Sequence, residues 1–547
     1  MINQEKKILV TCAFPYANGP IHLGHMLEHI QADIWVRYHR LQEKKIWFIS
    51  ADDSHGTATM LNAEKLNITP EKLVLNSYKQ HKLDLLNFNI SYDNYYLTHS
   101  KENYSFLKKI YFELNKKKLF ETKVINQLYD TKKNIFLPDR YIKGTCPICL
   151  AIDQYGDNCE KCGSIYSTMD IINPKSVISN VTPIIKKSTH LFFKLKKFTK
   201  ILKSWIASGV LQKSVMNKTK EWFKNGLKNW NISRDAPYFG FKIPNFLNKY
   251  FYVWLDAPIG YISTFKNLCD KNNSINFDEF WKKNSNTQLY HFIGKDIIYF
   301  HSLFWPAILE ASSFRKPTKI FVHGYLTNNG KKFSKSKNSF IKASDWIKHF
   351  NTDSLRYYYA SKLSSTIEDI EFDLKDLVQR FNSEIINKVI NLASRNARFI
   401  NLNFNNLLSE NIDEPKLFFL FCKESHVIGE FYKKREYFLA IKKIMFFADL
   451  ANKYITEQSP WVIAKINSKS LKLQSICSMG INLFRIIIIW LAPVLPDLFL
   501  KVEKFLNIKL LWKEISIPLL SHKISLFSPL YNRLEISNSN FFYKKKK

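Results

Sequence analysis

The first fifty-odd residues constrain the fold more than any other part of this chain. Lys7 to Ala13 is a short apolar run of strand character, and Pro15, Asn18, Gly19 and Pro20 force a turn directly after it. From Leu23 to Leu41, Met26, Ile30, Ile34 and Tyr38 recur at the spacing of one helical face. A second apolar run, Ile46-Trp47-Phe48-Ile49, ends in Ser50-Ala51-Asp52-Asp53-Ser54-His55-Gly56. Strand, helix, strand with polar groups at the strand ends predicts a parallel α/β sheet, with its pocket at the carboxyl edge.

A chain of 547 residues exceeds what one core usually organises, so about three or four domains are expected. Residues 101–250 change character: they carry a cysteine cluster among short mixed elements, as an insertion into the sheet domain would. Sheet signals return at Tyr252-Val253-Trp254 and run through Leu289-Tyr290-His291-Phe292-Ile293-Gly294 to Ile320-Phe321-Val322-His323-Gly324. Beyond about Asp373 the pattern becomes long helical segments with few glycines, which predicts a separate helical domain. There is no internal repeat, and Lys544 to Lys547 is the only low-complexity run.

Apolar residues make up 46% of the sequence, enough for packed cores and too many for a disordered chain. The formal charge of +34 points to an anionic partner such as nucleic acid, but lysine predominates in every segment, which compositional drift explains equally well. Four of the eight cysteines crowd between Cys146 and Cys162, unlike a secreted disulfide framework. The polar start, Met1 to Val10, does not resemble a signal peptide. The most apolar stretch, Ile486 to Leu500, is short for a membrane span and is broken by Pro493 and Pro496. A cytoplasmic protein is expected.

Several constellations carry chemistry. His22-Leu23-Gly24-His25 opens the first helix, where two imidazoles and a glycine can meet a phosphate chain at a positive helix end. Paired surface histidines are common, so the tetrapeptide alone is weak. Downstream, Asn328-Asn329-Gly330 leads into Lys331-Lys332-Phe333-Ser334-Lys335-Ser336, a loop whose lysines can follow charge as pyrophosphate departs. Such a loop in a lysine-rich chain is more often merely solvated. Cys146-Pro147-Ile148-Cys149 and Cys159-Glu160-Lys161-Cys162 can present four thiolates tetrahedrally, as one structural Zn²⁺ requires. Asn387, Asn391 and Arg395 share a helical face, and Ser459-Pro460-Trp461 offers a rigid ring. Together they could read and stack unpaired bases, although a solvated stripe beside a packed tryptophan is the commoner arrangement.

The histidine segment and the lysine loop, separated by an insertion, resemble the HIGH and KMSKS signatures of the class I aminoacyl-tRNA synthetases. The second motif here has Phe333 where the family usually has methionine. Cys12 to Gly19, Trp254 to Tyr261, Phe292 to Ile297, Phe300 to Trp305 and His323-Gly324-Tyr325 resemble the bacterial methionyl members over nearly the whole chain. The resemblance implies a Rossmann-type catalytic domain (1–100 and 251–325), a connective insertion (101–250) with the zinc knuckle at 146–162 near the acceptor end of tRNA, a stem-contact region (326–388) and a helical anticodon-binding domain (389–547).

It also implies roles. Ala13, Phe14, Tyr16, Trp254, Ala257, Pro258, Tyr261, Ile297 and His301 would hold methionine, with Phe300 and Trp305 rearranging as it enters. Asp53 would take its ammonium and Arg234 its carboxylate. ATP would meet His22, Gly24, His25, Asp296, His323, Lys332, Ser334, Lys335 and Ser336, with His22, His25, Lys332 and Lys335 stabilising phosphoryl charge. An aromatic slot suits a polarizable thioether, and a tyrosine hydroxyl can donate to its sulfur. Phe14 replaces the leucine usual in the family. Asn387, Asn391, Arg395, Pro460 and Trp461 would read the CAU anticodon.

The expected reaction is attack of the methionine carboxylate on the α-phosphate of Mg-ATP, followed by acyl transfer to the terminal ribose of initiator or elongator tRNA. Two rivals remain: a class I enzyme for another aliphatic amino acid, which usually carries a larger insertion, and a non-catalytic tRNA-binding module. The chain stops soon after the helical region, and a monomer is expected.

Overall fold

The computed structural model describes residues 6–138, 141–156, 159, 161, 162, 164, 166–328, the backbone of 331–332, and 341–535. Lys544 to Lys547 lie outside them. A five-stranded parallel sheet organises the first half: β1 (Ile8–Cys12), β2 (Ile46–Asp52), β3 (Asn94–Leu97), β4 (Gln288–Gly294) and β5 (Lys319–His323). Their order is β5-β4-β1-β2-β3. β1 is central, with Val10 opposite Phe48 on one side and Tyr290 on the other. Because the order reverses beside β1, a crevice opens at the carboxyl ends of β1 and β4, the place where such sheets bind ligands.

β1 and β2 are joined through α1 (Leu23–Leu41), whose Met26, Ile30, Ile34 and Tyr38 are buried as their spacing predicts. The segment around Tyr252 to Trp254 is the start of α2 (Val253–Lys271), buried along most of its length. Helix Lys101–Lys116 packs on the same face of the sheet, its Leu107, Ile110 and Leu114 sharing a core with Leu9, Ile49 and Phe265. Beyond it, strand Phe120–Asp130 pairs antiparallel with Ile184–Phe193. At the far end lie three short strands, Gln154–Tyr155, Ile142–Thr145 and Ile172–Ser176, above a minimal core of Leu128, Ile135, Leu137, Ile142 and Ile171.

The second half is helical. α3 (Asn391–Asn403), α4 (Pro415–Lys434), α5 (Tyr437–Gln458), α6 (Pro460–Ile466), α7 (Leu471–Leu491) and α8 (Pro496–Leu506) pack around α7. α7 begins well before the apolar stretch marked in the sequence. Among the described residues it alone has the length and hydropathy to cross a membrane, yet 89% of its most apolar window is buried by neighbouring helices. A salt bridge with both side chains buried, Arg356 to Asp33 at 2.7 Å, ties the bundle approach to α1. Arg356 also donates to the carbonyls of Pro493 and Val494.

Candidate active site

The crevice beside β1 is a cleft of about 520 Å³. Its walls include Ala13, Phe14, Tyr16, His22, Gly24, His25, Asp53, Trp254, Ala257, Pro258, Tyr261, Asp296, Ile297, His301 and His323, residues from five separate stretches of sequence. α1 points its N-terminus into this space with no acidic residue in its first turn, leaving the positive helix end available to an anion. The His22 and His25 rings stack at 3.7 Å. The His22 backbone N–H donates to Nδ1 of His25 over 3.2 Å, so the His25 proton sits on Nε2.

Both flanks of the lysine loop lie at this cleft. Leu326 is part of its wall, and Asn328 and Thr327 pair with Lys331 and Lys332 in a short hairpin. On the return side, Leu23 N–H donates to the Ile341 carbonyl and Ala343 N–H to that of Ile21. Phe333, Ser334, Lys335, Ser336 and the Lys332 side chain lie outside the described residues. A Cβ on Gly324 would overlap the Glu368 carbonyl, which explains the glycine at the bend from β5 toward the loop.

The apolar end of the cleft is lined by rings. Phe14 lies 4.6 Å from Tyr261, and its ring edge occupies the space a Cβ on Gly260 would need. Trp254 stacks on Phe300 at 3.8 Å and 14°. His301 Nδ1 donates to the Ile297 carbonyl at 3.1 Å, which leaves Nε2 to accept from Tyr261 at 2.9 Å. Burial pushes His301 down to about 4, so it is neutral at physiological pH. The Tyr261 hydroxyl proton is therefore directed at His301 and is not available to a sulfur in the cleft, contrary to the sequence expectation.

Three expected residues stand behind or beside the cleft wall instead of on it. Phe300 backs Trp254. Trp305 is buried and donates to His291 Nε2 at 3.2 Å. Arg234 lies with its guanidinium 3.6 Å from the centre of the Tyr252 ring and donates to the Ser233 carbonyl.

Asp53 is buried, and its Oδ1 has no hydrogen-bond partner among the described residues. Burial raises its pKa well above the carboxylate range; nearby Asp256 adds to this, while the His55 amide opposes it. Glu28, absent from the sequence expectations, lines the cleft and meets Nε2 of His323 at 3.1 Å. Burial raises Glu28 as well. One helical turn beyond His25, Glu28 could have been found by following the same face of α1. Asp256 and His55, which meet across 201 positions, carried no such signal.

The four knuckle cysteines bring their sulfurs within 4.8 Å of one another. Cys146 and Cys162 Sγ are 3.9 Å apart, Cys149 and Cys159 Sγ 3.5 Å. Thiolates held about 2.3 Å from one tetrahedral ion stand about 3.8 Å apart, so the site fits a single metal. Backbone N–H groups of Ile148 and Cys149 point at Cys146 Sγ, and that of Cys162 at Cys159 Sγ, as stabilisation of thiolates requires.

In the bundle, Arg395 lies 4.8 Å over the ring of Trp461. Asn387 and Asn391 are both exposed, Asn387 in a π-helical segment (Phe381–Ile390) where a spacing of four does not by itself give a shared face, and Arg533 donates to Asn387 at 3.2 Å. Pro460 is buried as the first residue of α6.

A parallel sheet with a histidine-bearing helix end at its switch point is the architecture of a class I tRNA synthetase, and residues 8–397 match the family model described as tRNA synthetases class I (M). The methionine–tRNA ligases of Buchnera aphidicola subsp. Acyrthosiphon pisum strains Tuc7, 5A and APS are each 61% identical over 531 residues, 97% of this chain and 97% of each relative. The chain belongs to this methionine–tRNA ligase family. Its fold is also that of a Mycobacterium tuberculosis methionyl-tRNA synthetase in complex with methionyl-adenylate (TM-score 0.78, 20% identity, 96% of this chain and 100% of that one). The apo form of the Mycobacterium enzyme is similar at TM-score 0.73 and 18% identity, over 98% of this chain and 100% of that one.

Proposed function

We propose that the cleft beside β1 activates methionine with ATP, releasing pyrophosphate, and then passes the methionyl group to the terminal ribose of tRNA(Met). The observation that carries this reading is the convergence of both loop flanks on the histidine pair: Ile341 is hydrogen-bonded to Leu23, and Leu326 lines the same cleft. Triphosphate at the α1 N-terminus would meet His22, Gly24 and His25, with Asp296 and His323 near the nucleoside and the loop lysines Lys332 and Lys335 closing over departing pyrophosphate.

Methionine would lie with its side chain among Phe14, Trp254, Ala257, Pro258, Tyr261, Ile297 and His301, and its ammonium at Asp53. Since Tyr261 donates to His301, the side chain is selected by the shape of the ring-lined slot and by closure of Phe300 and Trp305 around it. Arg234 would reach the carboxylate only after leaving Tyr252, which makes its approach part of substrate closure. Mg²⁺ would arrive with ATP and neutralise phosphate charge.

Cys146, Cys149, Cys159 and Cys162 would hold one Zn²⁺, which supplies folding energy to an insertion with little core of its own. Asn387, Asn391, Arg395, Pro460 and Trp461 would present the anticodon face. Labelled pyrophosphate exchange into ATP, run across all amino acids, tests the assignment. Exchange should depend on methionine, and faster exchange with another amino acid, or none with any, would overturn it.

A further inference from the structure

One face of the sheet carries a polar pair that the reaction as described does not use. Side chains alternate along a strand, so Leu9 and Thr11 of β1 and Leu289, His291 and Ile293 of β4 project to the same side. Leu9, Leu289 and Ile293 join the apolar layer that packs against Tyr261 and Phe265 of α2. Thr11 and His291, directly opposite each other in the strand pairing, are the polar members of that row, and neither has any solvent exposure. A hydroxyl and an imidazole buried in an apolar layer cost stability that two aliphatic side chains would not. They lie under the ring-lined end of the cleft, where the His291 ring runs nearly parallel to that of Tyr261, 4.7 Å away at 27°.

The direction of each hydrogen bond around this pair is fixed. Trp305 can only donate, so Nε2 of His291, 3.2 Å from the indole nitrogen, is the acceptor. Burial, reinforced by His301 and Arg315, holds His291 well below its ordinary value, so the ring is neutral and its one proton sits on Nδ1. That proton is donated to Thr11 Oγ1 at 2.5 Å. A second chain runs beside the first: Tyr261 donates to His301, and His301 to the Ile297 carbonyl. Tyr261 spends its hydroxyl on the second chain and lays its ring against the first, with the Trp305 ring 6.2 Å away.

We propose that His291 is a positioning residue for the amino-acid slot: accepting the Trp305 N–H while Thr11 takes its own proton, it holds the indole behind Tyr261 and keeps the back of the slot in place before substrate enters. The inference rests on the reading of that slot as the methionine side-chain site. His291 does not touch substrate; it acts through Trp305 and Tyr261. An aliphatic residue at 291 would fill the layer equally well but leave the N–H of a buried tryptophan without an acceptor. Closure at Trp305 then becomes a small adjustment about a held nitrogen, which bounds the shapes of side chain that the slot can take.

The test is methionine-dependent pyrophosphate exchange on variants of the full chain. His291→Leu, which suits the surrounding layer but cannot accept a hydrogen bond, should raise KM for methionine about tenfold while kcat and KM for ATP stay within about threefold. His291→Gln returns an acceptor to the indole and should recover most of that loss. Trp305→Phe removes the donor, so adding His291→Leu to it should change the methionine KM by less than about twofold; effects that multiply would show that His291 does not act through Trp305. A purely structural role predicts less active enzyme with both KM values unchanged and no recovery by glutamine, and that outcome overturns the proposal. Should His291→Leu not fold, Thr11→Val keeps the imidazole but removes the acceptor of its proton, and a methionine KM raised by less than about twofold would then overturn it. If exchange by the unaltered protein does not depend on methionine, the reading of the slot fails. If it does and His291→Leu leaves the methionine KM unchanged, only the positioning inference fails.

Discussion

The floor of the cleft and the centre of the helical bundle are both buried, but they treat polar groups in opposite ways. In the bundle, Asn482 gives its amide to the Ser478 and Leu519 carbonyls and accepts from Leu519 N–H, Trp490 donates to Ser425, and Tyr432 donates to the Trp490 carbonyl. Around them lie Ile486, Ile487, Ile488 and Ile489, all essentially without solvent contact. On the cleft floor, Asp53, Asp256 and Glu28 each retain an oxygen with no hydrogen-bond partner among the described residues. The bundle also leaves Asn396 Oδ1 and Arg485 Nε without partners among the described residues, but its buried polar groups are chiefly amides, hydroxyls and a ring N–H bonded within the bundle, whereas the cleft floor buries three carboxylates. Unsatisfied buried carboxylates cost stability, so the bundle and its hydrophobic core must offset what the cleft withholds.

The contrast can be broken by showing that either region behaves like the other. The largest effect is expected at Asp53: Asp53→Asn should cut kcat/KM for methionine activation about a thousandfold while leaving the melting temperature equal or higher, checked by pyrophosphate exchange and calorimetry. A fall in melting temperature would mean that Asp53 is structural. Ile487→Ala should do the reverse, lowering unfolding free energy by about 3 kcal/mol in denaturant titrations with activation retained below the transition. Next comes the far face of the bundle. Arg395→Ala should weaken tRNA charging about thirtyfold and leave pyrophosphate exchange nearly intact; equal loss in both assays rejects an anticodon role for the Arg395–Trp461 pair.

A smaller effect marks the junction between the two regions. Asp353 accepts from Leu498 N–H and Tyr531, and burial beside Asp497 raises its pKa to about 6. A carboxyl raised above its unfolded value contributes stability that is full below about pH 4 and lost as pH climbs through 6. Asp353→Asn should therefore stabilise the protein at pH 8, by an amount on the order of 2 kcal/mol, and by almost nothing at pH 4, as thermal melts across pH will register. Smallest is Phe14→Leu, which should shift KM for methionine by less than about threefold, either way, because the ring leans on Gly260 and Tyr261 without forming a polar contact. A hundredfold loss would show that Phe14 is essential to the slot.

Much of this was legible in the chain. Helix α1 follows from the spacing of Met26, Ile30, Ile34 and Tyr38, and the four-thiol site from two pairs of neighbouring cysteines, because in each case the partners are close in sequence. The cleft residues were reached mainly through family resemblance, since their convergence depends on a sheet whose neighbours β1 and β4 are far apart in the chain. What escaped was pairing across long separations: Glu28 with His323, His55 with Asp256, and the capture of the Tyr261 proton by His301. No periodicity announces a hydrogen bond between distant side chains, and direction of donation is decided only once a third partner, here the Ile297 carbonyl, is in place.

The strand order has a consequence for how the protein is made. The central strand leaves the ribosome long before one of its two neighbours, which spans residues 288–292 opposite it, and the outer strand on that side ends at His323. Until those residues emerge, one edge of Ile8–Cys12 has nothing to pair with, while the intervening segment, with its thiol-rich tip, is already free to fold. Synthesis therefore passes through an interval in which an open apolar strand edge waits on the nascent chain, the stage at which a chaperone, or a scarcity of one, would decide the yield of folded enzyme.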